Sequence, residues 1–298
     1  MIKYIKLITL LYFTSLVTSV SAQEDAPTTD PQPAGQKGFQ VGLYVGCYLA
    51  NKYTAALHDG YGLDLDGNKN NFTNSWMNNK INLQYGGKTT GQTDYIAQEL
   101  NVLPGDWTFD ETDMPTFMRY QPAFLIGLQC RYSVDNKNVI LLNVDATKIT
   151  ATGGFTIRTR APSGNNVYNT FNIKGMEQRL LLQAGVQHLF GESEKINFLA
   201  EAGLNVTLAK LDKNLIQINN LTIDLTQYYY NGVDPAFSVV KRVGFGFGAF
   251  GGIGINMNAS EAFIIQLVYN PTYEGVNLGP NPKLKLQNAF GIRAYYKL

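Results

Sequence analysis

The chain has 298 residues, of which 24 are basic and 23 acidic, so its charge is balanced. This balance gives no electrostatic basis for binding nucleic acid or for strong attraction to an anionic surface. Only 16% of residues are charged, whereas the chain contains 29 glycines, 18 tyrosines and 16 phenylalanines, with a mean hydropathy of −0.13. Abundant glycine and aromatic residues with few charges are typical of membrane β-barrels, whose strands are apolar on one face only.

The N-terminus has the pattern of a secretory signal peptide. Two lysines precede an apolar run over residues 8–17, and small residues ending at Ala22 offer a cleavage site. We therefore predict a signal peptide over 1–22. The next segment, 23–37, is rich in Pro, Asp, Thr and Gln and cannot bury a core, which predicts a flexible periplasmic tether.

Eight later segments alternate apolar residues with small or polar ones. A period of two indicates strands with one apolar face, and each segment has about the length that a tilted strand needs to cross a bilayer. The segments cover residues 39–49, 123–132, 140–147, 175–190, 196–209, 243–257, 263–270 and 287–298.

The connections between these segments alternate in length. Those after the second, fourth and sixth strands are short and polar, and the others cover about residues 50–116, 158–173, 210–240 and 271–284. Outer-membrane barrels have short periplasmic turns and long extracellular loops. The sequence predicts an all-β fold over residues 38–298, a transmembrane antiparallel up-and-down barrel with both termini periplasmic. A ten-stranded alternative pairs residues 79–87 with a segment near Phe117.

The sixth segment contains the string G-x-G-x-x-G at Gly246, Gly248 and Gly251. A dinucleotide-binding loop requires a helix after the glycines, but here the strand-like alternation continues. An eight-stranded barrel has an interior only wide enough for its own side chains. We expect the glycines to make room for larger inward-facing residues.

Several charged residues fall on the inward-facing positions. Structural pairing of charges in a filled lumen is the main interpretation, and a proton or ion path is the alternative. The predicted interior network consists of Arg131, Asp145, Arg179, Glu201, Arg242 and Arg293.

The long connections are rich in aromatic residues. A connection of this length indicates a function or a substructure of its own, and residues 93–105 have the pattern of a short helix ended by Pro104. Exposed aromatic side chains are candidate anchors for a partner, whereas the alternative is that the loops pack on one another as a cap. The candidates are Trp76, Trp107, Phe109, Tyr228, Tyr229 and Tyr230.

Two further patterns contain residue types that catalysis or metal binding would need. His58 and Asp59 are neighbours in the first long loop, but no nucleophile motif accompanies them. Residues 64–71 (DLDGNKNN) contain oxygen ligands that would suit calcium, yet the spacing departs from an EF-hand loop and matches ordinary turn chemistry. We therefore predict no catalytic residue, no metal and no cofactor.

The sequence resembles the small outer-membrane barrels of the PorT-like and OmpA types, especially those of Bacteroidota. The resemblance is carried by the signal peptide, the eight alternating strands, FLAEAGLNV (198–206) and the closing FGIRAYYKL (290–298). It departs from proteobacterial barrels by ending in Leu298 rather than Phe. It implies insertion by the outer-membrane assembly machinery and service in larger envelope assemblies.

The expected function is that of a non-enzymatic accessory or structural subunit of an outer-membrane complex. The expected surroundings are outer-membrane lipid, lipopolysaccharide and a protein partner. Two alternatives come from other classes: a surface-binding protein or adhesin that uses the aromatic loops, and an enzyme at the barrel rim that uses His58.

Overall fold

The computed structural model describes residues 38–87, 92–161, 164–193, 195–230 and 239–298. The predicted signal peptide and tether lie outside the described residues. Within the described ranges, no helix has both the length and the apolar character needed to span a membrane.

Eight long antiparallel strands follow the alternating segments. They are β1 (Gly38–Leu49), β2 (Ala123–Ser133), β3 (Asn138–Arg160), β4 (Asn166–Phe190), β5 (Ile196–Ile218), β6 (Val243–Asn258), β7 (Phe263–Val276) and β8 (Lys285–Lys297). Each strand pairs with the next along the chain, and β1 pairs with β8, so the sheet closes into a ring. The predicted eight-stranded up-and-down barrel is confirmed.

The two faces of the strands differ as the alternation predicts. On β6, Val243, Phe245 and Phe247 are exposed on the outer face, whereas Tyr44 and Tyr48 of β1 are buried inside. The G-x-G-x-x-G segment is strand throughout, so it has no helix to meet a pyrophosphate.

The outer face forms an apolar band with aromatic residues near both edges. At the end where the short turns lie, which we call the turn end, the Phe39 and Tyr132 rings are 4.9 Å apart and those of Phe263 and Tyr296 are 5.4 Å apart. Towards the opposite, cap end, Phe124 is exposed on the outer face. An outward apolar band flanked by aromatic girdles is the surface of a transmembrane barrel.

Strands β3, β4 and β5 are much longer than predicted, with 23, 25 and 23 residues. A strand of about 9–11 residues is enough to cross a bilayer, so roughly half of each continues beyond the band. The predicted loops 158–173 and 210–240 are therefore partly strand. The sequence signal fails because the outward positions there are polar, such as Thr152 and Lys174.

The connection between β1 and β2, which includes the predicted loop 50–116, folds into a compact cap. Its helical parts are the 3₁₀ turn Thr54–His58, helix α1 (Trp76–Asn78) continuing as the π-helix Asn79–Tyr85, helix α2 (Tyr95–Leu100) and the 3₁₀ turn Glu111–Asp113. Two short strands, Trp107–Thr108 and Arg119–Tyr120, pair with the cap-end half of β3. The connection after β5 adds strand Leu221–Asp224 and the 3₁₀ turn Thr226–Tyr228.

Helix α2 lies within the segment 93–105 that was predicted to be helical, whereas residues 79–85 differ from their predicted conformation. The Asp94 side chain caps α2 by accepting a hydrogen bond from the Ala97 amide at 2.8 Å, and Asn101 ends the helix with a left-handed φ of 54°. The helix ends at Leu100, before the predicted Pro104, and Leu103 beyond it is 72% exposed. Residues 79–85 are helical rather than strand, so the ten-stranded alternative is wrong.

Candidate functional site: the filled lumen and its cap

Glycines on the inner face leave space for large inward side chains. A Cβ at Gly42 would lie 2.7 Å from the Tyr295 ring, and a Cβ at Gly203 would lie 2.6 Å from the Phe250 ring. Real Cβ atoms do not approach other atoms this closely, so any larger residue at these positions would force its neighbours to move. This packing agrees with the prediction that inward-facing glycines make room for larger side chains of neighbouring strands.

The turn-end half of the lumen contains a buried ion pair between strands β5 and β8. Arg293 donates two hydrogen bonds to the Glu201 carboxylate, at 2.6 and 2.9 Å. Asn270 and Gln187 donate to the same carboxylate at 2.7 and 3.1 Å. Such a pair is stable in a dry interior only when additional hydrogen bonds satisfy the charges. The Glu201 carboxylate is satisfied in this way, whereas the Nε atom of Arg293 has no hydrogen-bond partner among the described residues.

Arg131 and Asp145 lie in the same half of the lumen but have other partners. Arg131 donates to Gln40 and to Gln187, and its guanidinium lies 4.3 Å from the centre of the Tyr295 ring. Asp145 accepts a hydrogen bond from the Gln129 amide at 2.7 Å. Neither forms an ion pair with another described residue, so amides rather than opposite charges satisfy them.

A second charged cluster fills the cap end of the lumen. Arg179 donates to Glu177 at 2.5 Å, to the Tyr48 hydroxyl at 2.9 Å and to the Thr54 hydroxyl at 2.9 Å. The Tyr120 hydroxyl donates to the other Glu177 oxygen at 2.5 Å. Because Thr54 and Tyr120 belong to the connection after β1, this cluster ties the cap to the barrel.

Polar amides fill the space between the two charged clusters. Gln183 donates to Asn270 at 3.2 Å and to Thr272 at 3.4 Å, and Asn143 donates to Gln183 at 3.4 Å. All of these side chains are buried. The lumen is therefore packed along its length by side chains from the strands, without a separate plug.

Arg242 lies outside this interior network, which corrects its predicted placement. It precedes β6, is only half-buried, and forms no ion pair with any residue that the structure describes. The parity of its position is inward, but the strand begins one residue later. Odd and even positions point to opposite faces only within a paired strand, so the alternation predicts an inward side chain only for residues inside the strand.

Two acidic members of the interior were missed from the sequence. Glu177 has the same parity as Arg179 on β4, and this signal was available in the alternating pattern. Glu274 accepts hydrogen bonds from Asn205 at 2.6 Å and from Thr207. It escaped prediction because β7 continues past Asn270 into residues expected to form a loop.

The candidate anchor residues are mostly buried inside the cap, which corrects the expectation of exposed aromatics. Trp76 stacks on Tyr228 with ring centres 5.4 Å apart and planes 9° from parallel. The Trp107 indole donates to Asp94 at 2.9 Å. Phe109 and Tyr229 are buried, and only Tyr228 and Tyr230 are partly exposed. The observed arrangement is the one given by the alternative prediction, in which the loops pack on one another as a cap.

His58 is buried beneath the cap rather than presented at the rim. Its Nδ1 atom is hydrogen bonded to the Tyr229 hydroxyl at 2.7 Å, and burial lowers the pKa of its imidazole to about 4. The adjacent Asp59 pairs instead with Lys69 at 2.8 Å. The two neighbours in sequence therefore do not form a dyad open to a substrate.

The calcium candidate forms a turn. The backbone amide of Asn68 donates to the Asp64 carboxylate at 2.8 Å, and the Gly67 amide donates to the Asp64 carbonyl at 3.0 Å, so the segment closes as an ordinary turn. Within the described ranges, no three His, Cys, Asp or Glu side chains group together as metal ligands would.

No protein-family model matches the sequence, and no curated protein matches it either. Among solved structures, the chain is similar to Neisserial surface protein A, with 9% identity over 89% of this chain and 100% of that chain and a TM-score of 0.37. It is also similar to the outer membrane protein OprG from Pseudomonas aeruginosa, with 12% identity over 89% of this chain and 98% of that chain and a TM-score of 0.34. It is similar as well to Ail, the attachment invasion locus protein of Yersinia pestis, with 13% identity over 88% of this chain and 100% of that chain and a TM-score of 0.32. At this level of similarity, the fold assignment rests on the strand pairing of the chain itself.

Proposed function

We propose that the chain is a non-enzymatic integral outer-membrane barrel that serves as an accessory or structural subunit of a larger outer-membrane complex. The observation that carries this proposal is the filled lumen beneath a folded cap. A lumen closed by two charged clusters and an amide layer does not suit passage of solutes, and a buried His58 does not suit catalysis at the rim.

The membrane location is supported by the outer surface. Large apolar side chains on neighbouring strands face outward, as Leu43 and Leu128 do on β1 and β2. A contiguous apolar surface of this kind is stable only against lipid or a partner, because soluble monomers rarely expose patches above a few hundred Å². Lipid and lipopolysaccharide are thus the proposed surroundings of the band.

The surface-binding alternative receives less support. It required aromatic side chains that a ligand can reach, yet the cap core uses Trp76, Trp107, Phe109 and Tyr229. A partner therefore has to recognise the outer face of the barrel or the polar surface of the cap.

Extraction from native outer membranes in a mild detergent tests the proposal. We expect a companion protein to migrate with the barrel at constant stoichiometry through two chromatographic steps. A second eight-stranded barrel from the same membrane, purified in parallel, controls for carry-over. If the chain migrates alone, folded and heat-modifiable on a gel, the subunit role is wrong.

A further inference from the structure

Four lysines share one region of the outer face, just beyond the apolar band on β3, β4 and β5. Lys148 and Lys210 flank Gln178 in one row across the three strands. Lys213 pairs with Met176, and Lys174 pairs with Thr152. All four side chains are exposed.

A β-bulge brings two of these lysines to the same face. Positions 210 and 213 have opposite parity, so in a regular strand one of them would point into the lumen. The β4–β5 register shifts between Met176 and Glu177, which leaves Asp212 without an opposing residue. Bulges re-aim side chains in this way, and here the result is that Lys210 and Lys213 both point outward.

The cluster has an excess of positive charge. Lys148 forms an ion pair with Asp212 at 3.3 Å, and Gln178 donates to the same carboxylate at 3.2 Å. Among the described residues, no ion pair is formed by Lys174, Lys210 or Lys213. Three ammonium groups therefore have no ionic partner among the described residues and are placed to meet an external anion.

The row next to the cluster, towards the turn end, is apolar. It runs across the same three strands and β6 as Ala146, Leu180, Leu208 and Phe245. Lys210 itself pairs with Val243, two residues from Phe245. Lys148 and Lys210 lie directly beyond this row and lay their alkyl stems along it, while Lys213 and then Lys174 lie further along the strands towards the cap, where lipid headgroups extend from the membrane.

We propose that Lys174, Lys210 and Lys213, with Lys148 held beside them by Asp212, bind the phosphate groups of a lipid in the leaflet on the cap side, while its acyl chains lie against the apolar row. This inference rests on the proposed membrane location and names a lipid site on that surface. Charge complementarity and the adjoining apolar row select a phosphorylated lipid over a soluble anion.

The test uses residues 23–298 folded in a zwitterionic detergent and titrated with diphosphoryl lipid A, with bound lipid counted by native mass spectrometry. The variant is Lys174→Gln/Lys210→Gln/Lys213→Gln. Each basic residue near an anionic surface contributes about fivefold to affinity, so we expect the apparent affinity to fall about a hundredfold. Heat-modifiability on a gel confirms that each variant is folded.

Two further variants make the result specific. Lys137→Gln/Lys195→Gln removes exposed lysines at the turn end and is expected to leave binding unchanged. Lys174→Arg/Lys210→Arg/Lys213→Arg keeps the charge and is expected to retain binding. Unchanged binding in the glutamine variant, or an equal loss in the turn-end control, would overturn the proposal.

A competition arm distinguishes the source of the phosphate. Millimolar inorganic phosphate is expected to leave lipid A bound, because the free ion lacks the contact with the apolar row. Complete displacement would mean an anion site rather than a lipid site. The titration requires no companion protein, so its outcome is independent of whether the chain belongs to a complex.

Discussion

At the residue scale, the absence of a side chain is what permits the packing of the lumen. The backbones of Gly185 and Gly203 on adjacent strands approach each other under the Phe250 ring. A Cβ at Gly203 would lie 2.2 Å from the Ala184 carbonyl oxygen and 2.6 Å from the Gly185 Cα. Backbone atoms cannot yield as a flexible side chain would, so the strands themselves would have to separate.

This geometry predicts that Gly203→Ala lowers the free energy of unfolding by about 1–3 kcal/mol, the usual cost of overpacking a core. The measurement is urea-induced unfolding in detergent micelles. Gly251→Ala is the matched control, since Gly251 pairs with Ala202 and a Cβ there would find its nearest neighbour at 3.8 Å. Equal effects of the two substitutions would contradict the packing argument.

The buried ion pair predicts a strongly non-additive result. Arg293→Met or Glu201→Gln alone is expected to cost about 3–5 kcal/mol, because each leaves an uncompensated buried group. The double variant is expected to cost less than the sum of the two single changes. Unfolding free energies of the four proteins in one detergent give the coupling, and additive costs would show that the two residues do not act as a pair.

His58 predicts a pH dependence of the cap. Burial lowers its pKa from the ordinary 6.5 to about 4, so the folded cap holds the neutral form while the unfolded chain takes up a proton below pH 6.5. Stability is therefore fully present above about pH 6.5 and falls as the pH drops towards 4, by about 3 kcal/mol.

Tryptophan fluorescence checks this prediction, because the only two tryptophans of the chain, Trp76 and Trp107, both lie in the cap. Denaturant titrations at pH 7, 5.5 and 4.5 are expected to show a falling midpoint. His58→Gln should remove most of this slope, and His188→Gln, at the turn end on β4, should leave it in place. A slope that persists in His58→Gln would assign the effect to another group.

At the element scale, the cap is a folded unit with its own apolar core. The Trp76 ring is stacked on Tyr228, about 150 positions later in the chain, so the connections after β1 and β5 are held together by this contact. The cap core also includes Ile157 and Ile173 from the cap-end halves of β3 and β4. The cap-end halves of β3 and β4 thus form one side of the cap core.

This arrangement predicts that Trp76→Ala loosens the cap and leaves the barrel closed. Truncation of a buried tryptophan costs about 3–5 kcal/mol. We expect faster proteolysis within residues 50–116 and unchanged heat-modifiability. Leu103→Ala, at a side chain that is 72% exposed, is the control that should alter neither readout. Loss of the folded barrel in the Trp76 variant would mean that cap and barrel unfold together.

The sequence predicts the barrel well because lipid imposes one rule on every spanning strand. Where that rule operates, as at Leu128 or Phe247, the outward position is apolar and period two is clear. Beyond the band the outer face meets water, so the outward positions can be polar and the period of two is no longer visible. The sequence therefore predicts loops for the cap-end halves of β3 and β5. The stack of Trp76 on Tyr228 depends on how two distant connections meet, which no local spacing encodes.

At the scale of the whole molecule, the two charged clusters close the lumen in series. Along β4, the inward residues Gln187, Gln183 and Arg179 mark successive levels from the turn end to the cap end. Removing one charged cluster therefore leaves the other cluster and the amide layer in place.

In planar bilayers we expect no stable open pore from the intact protein or from Glu177→Ala/Arg179→Ala/Glu274→Ala. The additional loss of Glu201 and Arg293 is also expected to give no stable pore, because the amide layer of Gln183 and Asn270 still fills the lumen between the two clusters. A step conductance from the intact protein at low voltage would show that the lumen is open.

The serial closure also bears on how such a barrel can change over evolutionary time. If the lumen is opened by successive substitutions, the intermediate proteins keep a buried charge without its partner. The resulting loss of unfolding free energy approaches the total stability of a typical domain. Adding a hairpin to the ring widens the interior without breaking either cluster first, since barrel diameter grows with strand number. A descendant of this chain that conducts solutes is therefore expected to have gained strands before it lost its charges.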